Sequence, residues 1–221
     1  MTRRRPTPWD WPDQPLTDTH LPMPTSANGR TAEYDIDPLF LERWSPRAFT
    51  GEAMPGEELM TLFDAARWAP SAFNGQPWRF VYAHRETGAW AGLFDLLIPF
   101  NQMWAKNAAV LVFLVSDRFR RVEGQPPAPV YSHSLDAGAA WGGLALQASR
   151  SGWATHGMVG FDIPRSYEVL GVDEAEFRVE AAIAIGRRGD VSLLDEPFQA
   201  REVPSLRNPV SSIAFEGRFK L

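Results

Sequence analysis

Ala108-Ala109-Val110-Leu111-Val112-Phe113-Leu114-Val115-Ser116 is the most continuously apolar stretch of the chain. Its eight-residue apolar run, Ala108 to Val115, is far short of the ~20 residues that span a bilayer. Rich in β-branched and aromatic residues, it reads as a strand buried on both faces. Such a strand needs helices on both sides of its sheet. Working outward, Trp78–His84 alternates like a strand, and Trp153–Val159 and Phe177–Arg187 read as two more. Pro55–Trp68 carries Leu59, Leu62, Phe63 and Ala66 at helical spacing, with Pro55 and Pro70 as its punctuation. Asp37–Trp44, Glu86–Leu97, Tyr131–Ser151 and Pro164–Leu170 complete the expected helices. Gly138, Gly142 and Gly143 inside the long helix each cost ~1 kcal/mol relative to alanine. Close approach of another helix, in the core or across a subunit boundary, is the natural offset.

Residues 1–35, with Pro6, Pro8, Pro12, Pro15, Pro22 and Pro24, read as an arm outside the domain formed by 36–221, with Trp9 and Trp11 as candidate anchors. After Asp190 an extended tail ends in Phe215-Glu216-Gly217-Arg218-Phe219 and needs a surface to pack on.

The 221 residues are 44% hydrophobic, and 22 basic residues against 27 acidic ones give a net charge of −5, which argues against a nucleic-acid partner. The absence of cysteine excludes disulfides, thiolate metal sites and a cysteine nucleophile. Arg3, Arg4 and Arg5 precede prolines and an aspartate where an export signal has an apolar stretch. A cytoplasmic protein without membrane association is expected. His20, His84, His133 and His156 lack metal-ligand spacing and read as structural or surface residues. Arg187 and Arg188 read as surface charges. No Gly-x-Ser-x-Gly elbow or phosphate-cradling glycine loop occurs.

Two segments carry chemistry. Arg43-Trp44-Ser45-Pro46-Arg47 sets two guanidinium groups four residues apart with a hydroxyl between them, a donor set suited to a phosphate. Pro70-Ser71-Ala72-Phe73-Asn74-Gly75-Gln76-Pro77-Trp78 concentrates amides in a rigid loop between helix and strand; each amide can donate and accept at the edge of a planar heterocycle. Alone, the first also reads as a solvated basic face. The second also reads as a plain turn in which Asn74-Gly75 supplies the left-handed conformation.

Together, at this spacing, the segments resemble the nitroreductase superfamily of FMN-dependent enzymes, whose pattern opens with Arg-x-Ser-x-Arg/Lys and continues in a Pro-Ser-x-x-Asn-x-Gln-Pro-Trp loop. The resemblance extends from about Asp37 to the C-terminus. It implies an α+β fold, a mixed, largely antiparallel sheet covered by helices, in an intertwined homodimer with FMN at the interface. It places Arg43, Trp44, Ser45 and Arg47 at the FMN phosphate, ribityl chain and pyrimidine. Pro70, Ser71, Ala72, Asn74 and Gln76 would form a loop reaching the flavin, in many members from the other subunit. Phe100-Asn101 resembles a position whose asparagine meets the flavin pyrimidine; Trp104 stands where some members have lysine. Val159 and Gly160 resemble the loop whose amides approach flavin N5, and Arg207 the arginine that completes the phosphate site.

The activity this implies is electron transfer from NADH or NADPH through FMN to a nitroaromatic, quinone or similar small-molecule acceptor, in a ping-pong mechanism. The flavin carries the redox chemistry, so no side chain need act as nucleophile or acid; Arg47 tunes the ring. A flavin-dependent dehydrogenase of a small metabolite and a non-catalytic FMN-binding protein remain alternatives. Trp104, Phe100 and the stretch from Arg118 to Val130 are expected to line the substrate pocket.

Overall fold

The computed structural model describes residues 26–219, so the proline-rich stretch 1–25 with Trp9 and Trp11 lies outside the described residues. In chain order the helices are α1 (Leu39–Glu42), α2 (Gly56–Ala66), α3 (Trp90–Phe94), α4 (Pro99–Ala105), α5 (His133–Arg150), α6 (Ile163–Leu170) and α7 (Glu196–Gln199). The strands are β1 (Trp78–His84), β2 (Val110–Asp117), β3 (Phe119–Arg120), β4 (Ala128–Pro129), β5 (Ala154–Met158) and β6 (Phe177–Gly186). The main sheet has the order β1-β2-β6-β5, all neighbours antiparallel, and β3 and β4 form a separate ribbon.

Every residue of β2 is buried, as the apolar run predicts. Its pleat sends Val110, Val112 and Leu114 to one face and Leu111, Phe113 and Val115 to the other, where they join separate cores. On the first face α2 and α5 bring Leu59, Leu62, Ala66, Ala137, Ala140 and Leu144 against Ile183 and Ile185. On the second, Leu93, Trp104, Ala105, Phe161 and Phe198 cover Ala182 and Ala184. Burying each large apolar side chain contributes ~1.5–3 kcal/mol. A bulge between β2 and β6 at Leu114/Val115 leaves Glu180 unpaired in the register, and its carboxylate accepts from Ser116 and Ser134 Oγ, both at 2.6 Å.

The α5 glycines divide. A Cβ on Gly143 would sit 3.4 Å from the Ala65 carbonyl oxygen, so this glycine admits α2 within the core; Gly138 and Gly142 face open space. Of the expected Glu86–Leu97 helix only Trp90–Phe94 forms, because Leu97 turns away to bridge Phe161. The short helix α4 was not legible. It begins on Pro99, and seven residues are too few to display an amphipathic period. The tail is less extended than expected: it contains α7 and a 3-10 turn at Val210–Ser212. The Val210 amide donates to the Glu33 carboxylate at 3.2 Å, and Phe215 meets Phe219 edge-on at 5.2 Å. Arg187 is no loose surface charge: its guanidinium stacks 4.0 Å from the Trp153 ring and donates to the Ser151 carbonyl at 3.0 Å. No helix among the described residues is long and apolar enough to cross a membrane.

Candidate functional site

α1 ends at Glu42, and Arg43 leaves helical geometry with φ −65° and ψ 120°. The orphan carbonyls of a helix end need donors. Arg30 supplies them: its buried Nη1 donates to the carbonyls of Leu41 at 3.1 Å and Arg43 at 2.9 Å. With that end fixed, Arg43, Trp44, Ser45 and Arg47 run along the wall of a cavity of about 320 Å³. Arg30, His156, Arg201, Val203, Ser205 and Arg207 line the rest, so five guanidinium groups converge with no acidic residue in the lining. Arg43 Nη1 lies 3.4 Å from Ser45 Oγ.

This crowding has an electrostatic cost. Burial first, then repulsion from Arg207, holds Arg30 and Arg43 below the usual arginine range. Burial and Arg201 act likewise on Arg47, and Glu202 opposes them. The Arg47 guanidinium lies 6.0 Å from the ring of Trp104, which is only 1% exposed. Trp104 is therefore a floor beneath the arginine and not the pocket-lining residue expected from the sequence. His156 packs against the same indole at 4.6 Å, and its Nδ1 is 3.0 Å from the Pro46 carbonyl oxygen, the geometry of a neutral ring donating through Nδ1. Burial, with Arg47 and Arg43 nearby, pushes its pKa down to about 4 although the Pro46 bond opposes the shift.

One turn before Trp104 on α4, Asn101 donates through Nδ2 to the Gly160 carbonyl at 2.9 Å, tying α4 to the loop after β5. A Cβ on Gly160 would lie 2.6 Å from that nitrogen, so the approach requires glycine. Beside it Val159 is exposed. Phe100 is half exposed and stands 4.9 Å from Phe198, with the Arg201 guanidinium 5.9 Å above its ring. Of the stretch 118–130, residues 119–120 and 128–129 form the β3–β4 ribbon.

The loop Pro70–Gln76 is not brought to this cavity within one chain. None of Pro70, Ser71, Ala72, Asn74 or Gln76 lines it. The loop is held instead at the start of α5, where Asp136 accepts from the Ala72 amide and from Ser132 Oγ, both at 3.1 Å. Ser71 Oγ accepts from the Gln76 amide at 3.0 Å. Of the Asn74-Gly75 pair read as supplying a left-handed turn, Asn74 does so and Gly75 is right-handed; Phe73, Asn74 and Gln76 take positive φ at 51°, 53° and 47°. Left-handed non-glycine residues cost roughly 1–2 kcal/mol each. Phe73 is nevertheless 88% exposed, so burial within the chain does not offset this strain.

Chemically, the cavity is an anion clamp with donors left over. The donors Arg30 Nε and Trp104 Nε1 are buried without hydrogen-bond partners among the described residues, as is one acceptor, Glu202 Oε2. Clustered guanidinium groups with no carboxylate in the lining fit a phosphate dianion, which relieves their mutual repulsion. FMN, a phosphate monoester carrying a polar planar ring, fits this donor set. Arg30, His156, Arg201 and Glu202 were not foreseen at the site. Arg30 precedes Arg43 by thirteen residues in a stretch that read as arm, and Arg201-Glu202 belongs to no motif. His156 read as structural, and its bond to Pro46 is structural; no local pattern signals that it also forms a site wall.

Residues 41–89, spanning both motif segments, match the model of the Nitroreductase family. A solved oxidoreductase containing FMN is 50% identical with a TM-score of 0.85, over 89% of this chain and 98% of that one. A provisionally named nitroreductase from Desulfovibrio desulfuricans, solved with FMN, is 24% identical and shares the fold at a TM-score of 0.63, over 84% of this chain and 99% of that one. A protein of Rhodopseudomonas palustris provisionally named NADH dehydrogenase/NAD(P)H nitroreductase is 32% identical over 82 residues, 37% of this chain and 41% of that protein. Since the family match falls on the two segments that carry the chemistry and the fold is shared nearly end to end with an FMN-containing oxidoreductase, the chain belongs to the nitroreductase superfamily.

Proposed function

We propose that this oxidoreductase binds FMN in the arginine-lined cavity and works as a homodimer, passing electrons from NADH or NADPH to a nitroaromatic, quinone or similar acceptor by a ping-pong mechanism. The observation that carries the reading is the convergence of Arg30, Arg43, Arg47, Arg201 and Arg207 on one cavity without an acidic lining residue. When bound, the flavin supplies two-electron redox chemistry, which no cluster of acids and bases in the chain need replace.

The residues divide the work of holding it. Arg43, Ser45 and Arg207 grip the phosphate, Trp44 forms part of the same wall, and Arg30 fixes the backbone beneath them. Arg47, seated on Trp104, faces the pyrimidine end, where negative charge grows on reduction. Asn101 has given its Nδ2 to Gly160 and keeps its carbonyl oxygen for the ring edge. The backbone amides of Val159 and Gly160 serve N5. Pro70, Ser71, Ala72, Asn74 and Gln76, out of reach in their own chain, complete the site of a second copy. Exposed Phe73, Tyr131 and Leu135 beside that loop, and the open glycine face of α5, are consistent with burial in such a dimer.

Anaerobic mixing of FMN-loaded protein with NADH or NADPH tests the reading. The oxidised-flavin absorbance should bleach, then recover on adding menadione or a nitrobenzene. Failure to bleach with either nucleotide refutes the reductase activity and leaves FMN binding standing. A protein that takes up no FMN refutes both.

A further inference from the structure

Glu202 enters the arginine cluster from the far end of the sequence. It follows α7, which is anchored by Phe198 at 1% exposure, and its amide closes a turn onto the Gln199 carbonyl at 3.1 Å. From there its side chain, 5% exposed, crosses to the segment after α1. Oε1 accepts from the amides of Arg47 at 2.7 Å and Ala48 at 2.8 Å. Oε2 lies 4.0 Å from Arg47 Nη1 and has no hydrogen-bond partner.

The backbone task alone does not need a charge, since a neutral amide oxygen could accept both N–H groups. Burying a carboxylate with one oxygen unpartnered is costly unless a nearby cation compensates it. The cation here is the guanidinium proposed to face the flavin's pyrimidine end. Glu202 also opposes the repulsion that Arg201 exerts on Arg47.

We propose that Glu202 is a positioning residue and counter-charge for Arg47. Its two amide bonds fix where Arg47 stands, and its negative charge lowers the positive potential at the cofactor's pyrimidine end, holding the flavin reduction potential down. A flavin that is less easily reduced is the stronger reductant once reduced. The carboxylate thus keeps the reduced enzyme able to donate to poor acceptors. This inference rests on the FMN reading above.

The test is the potential of bound FMN, measured by equilibration with a reference dye, in wild type, Glu202→Gln and Glu202→Asp. Glu202→Gln keeps the acceptor oxygen and loses the charge. It should raise the potential, favouring reduced over oxidised cofactor by roughly tenfold, as expected for a unit charge acting at several ångströms in a protein. Glu202→Asp keeps the charge and should hold the potential near the wild-type value while weakening FMN binding, because its shorter reach loosens Arg47. Combined with Arg47→Gln, which removes the positive charge and shifts the potential the opposite way, Glu202→Gln should bring the potential back toward the wild-type value. An unchanged potential in Glu202→Gln, or an equal shift in Glu202→Asp, overturns the counter-charge role. If Glu202→Gln does not fold, the Asp variant decides: a potential raised above wild type refutes the proposal. A wild-type chain that takes up no FMN refutes the cofactor reading and this inference with it.

Discussion

The imidazole of His156 packs 4.6 Å from the indole of Trp104, inside a wall of arginines, and is held neutral with its pKa near 4. Free histidine titrates near ~6.5. Between these values the unfolded chain binds a proton that the folded chain does not, so stability falls as pH drops through the window and the loss is complete below about 4. The full effect is on the order of 3 kcal/mol. Thermal melts of apo-protein from neutral pH down through this window should show a steeper loss for wild type than for His156→Asn. The difference between the curves isolates the histidine from the carboxylates, which titrate in both. Added FMN should reduce that difference, because a phosphate dianion counters the arginine field. Parallel curves without cofactor contradict the assignment.

Arg47→Ala removes the guanidinium proposed to face the flavin. FMN affinity should fall by the ~1.5–3 kcal/mol of a charge-assisted hydrogen bond. The potential should fall as well, the opposite direction to Glu202→Gln. Fluorescence titration of FMN gives the affinity. If both quantities match wild type, Arg47 is a structural cation resting on Trp104 and nothing more.

How far the sequence discloses this protein depends on how local each signal is. β2 and β1 were legible because an apolar run and a strand-like alternation are properties of consecutive residues, and Trp78–His84 forms with the expected bounds. α4 was hidden by its brevity. The Arg43–Arg47 and Pro70–Trp78 segments were legible only as a pair, by resemblance. The rest of the cavity comes from residues 30, 156 and 201–207, brought together by the sheet and by the return of the tail, and no window of sequence contains that convergence. Trp104 shows the limit most plainly. The helix that carries it was unread, and its burial under Arg47 and His156 depends on three separate elements.

Gly160→Ala should disrupt the ring-facing side of the site. The added methyl would meet Asn101 Nδ2 at 2.6 Å and Ile98 Cδ1 at 2.8 Å. Ile98 could turn aside, but Asn101 is fixed by its bond to the same residue's carbonyl. Overpacking of this kind costs typically 1–3 kcal/mol. The melting temperature should drop, and FMN affinity should fall further than stability alone explains, because the displaced amide is the one proposed to meet the pyrimidine. A variant with wild-type stability and FMN affinity shows that the loop after β5 yields freely.

Gly142→Leu separates a monomer from the proposed dimer. In the single chain a Cβ at this position meets nothing within 4 Å. Replacing a helix-interior glycine should then stabilise an isolated chain by up to ~1 kcal/mol through helix propensity. Gly142 also lines an open trough of about 390 Å³ together with Phe40, Arg43 and Ser45, next to the proposed phosphate grip. If a second copy lays its own residues into that trough, a leucine there obstructs it. Sedimentation should show dissociation toward monomer. FMN content should fall at the same time, since the Pro70–Gln76 loop of the partner would no longer be delivered to the site. Retained mass and retained FMN would place the subunit contact elsewhere. Loss of dimer with full FMN affinity would show that one chain builds the whole site, leaving the strained, exposed Phe73–Gln76 turn without the role proposed for it.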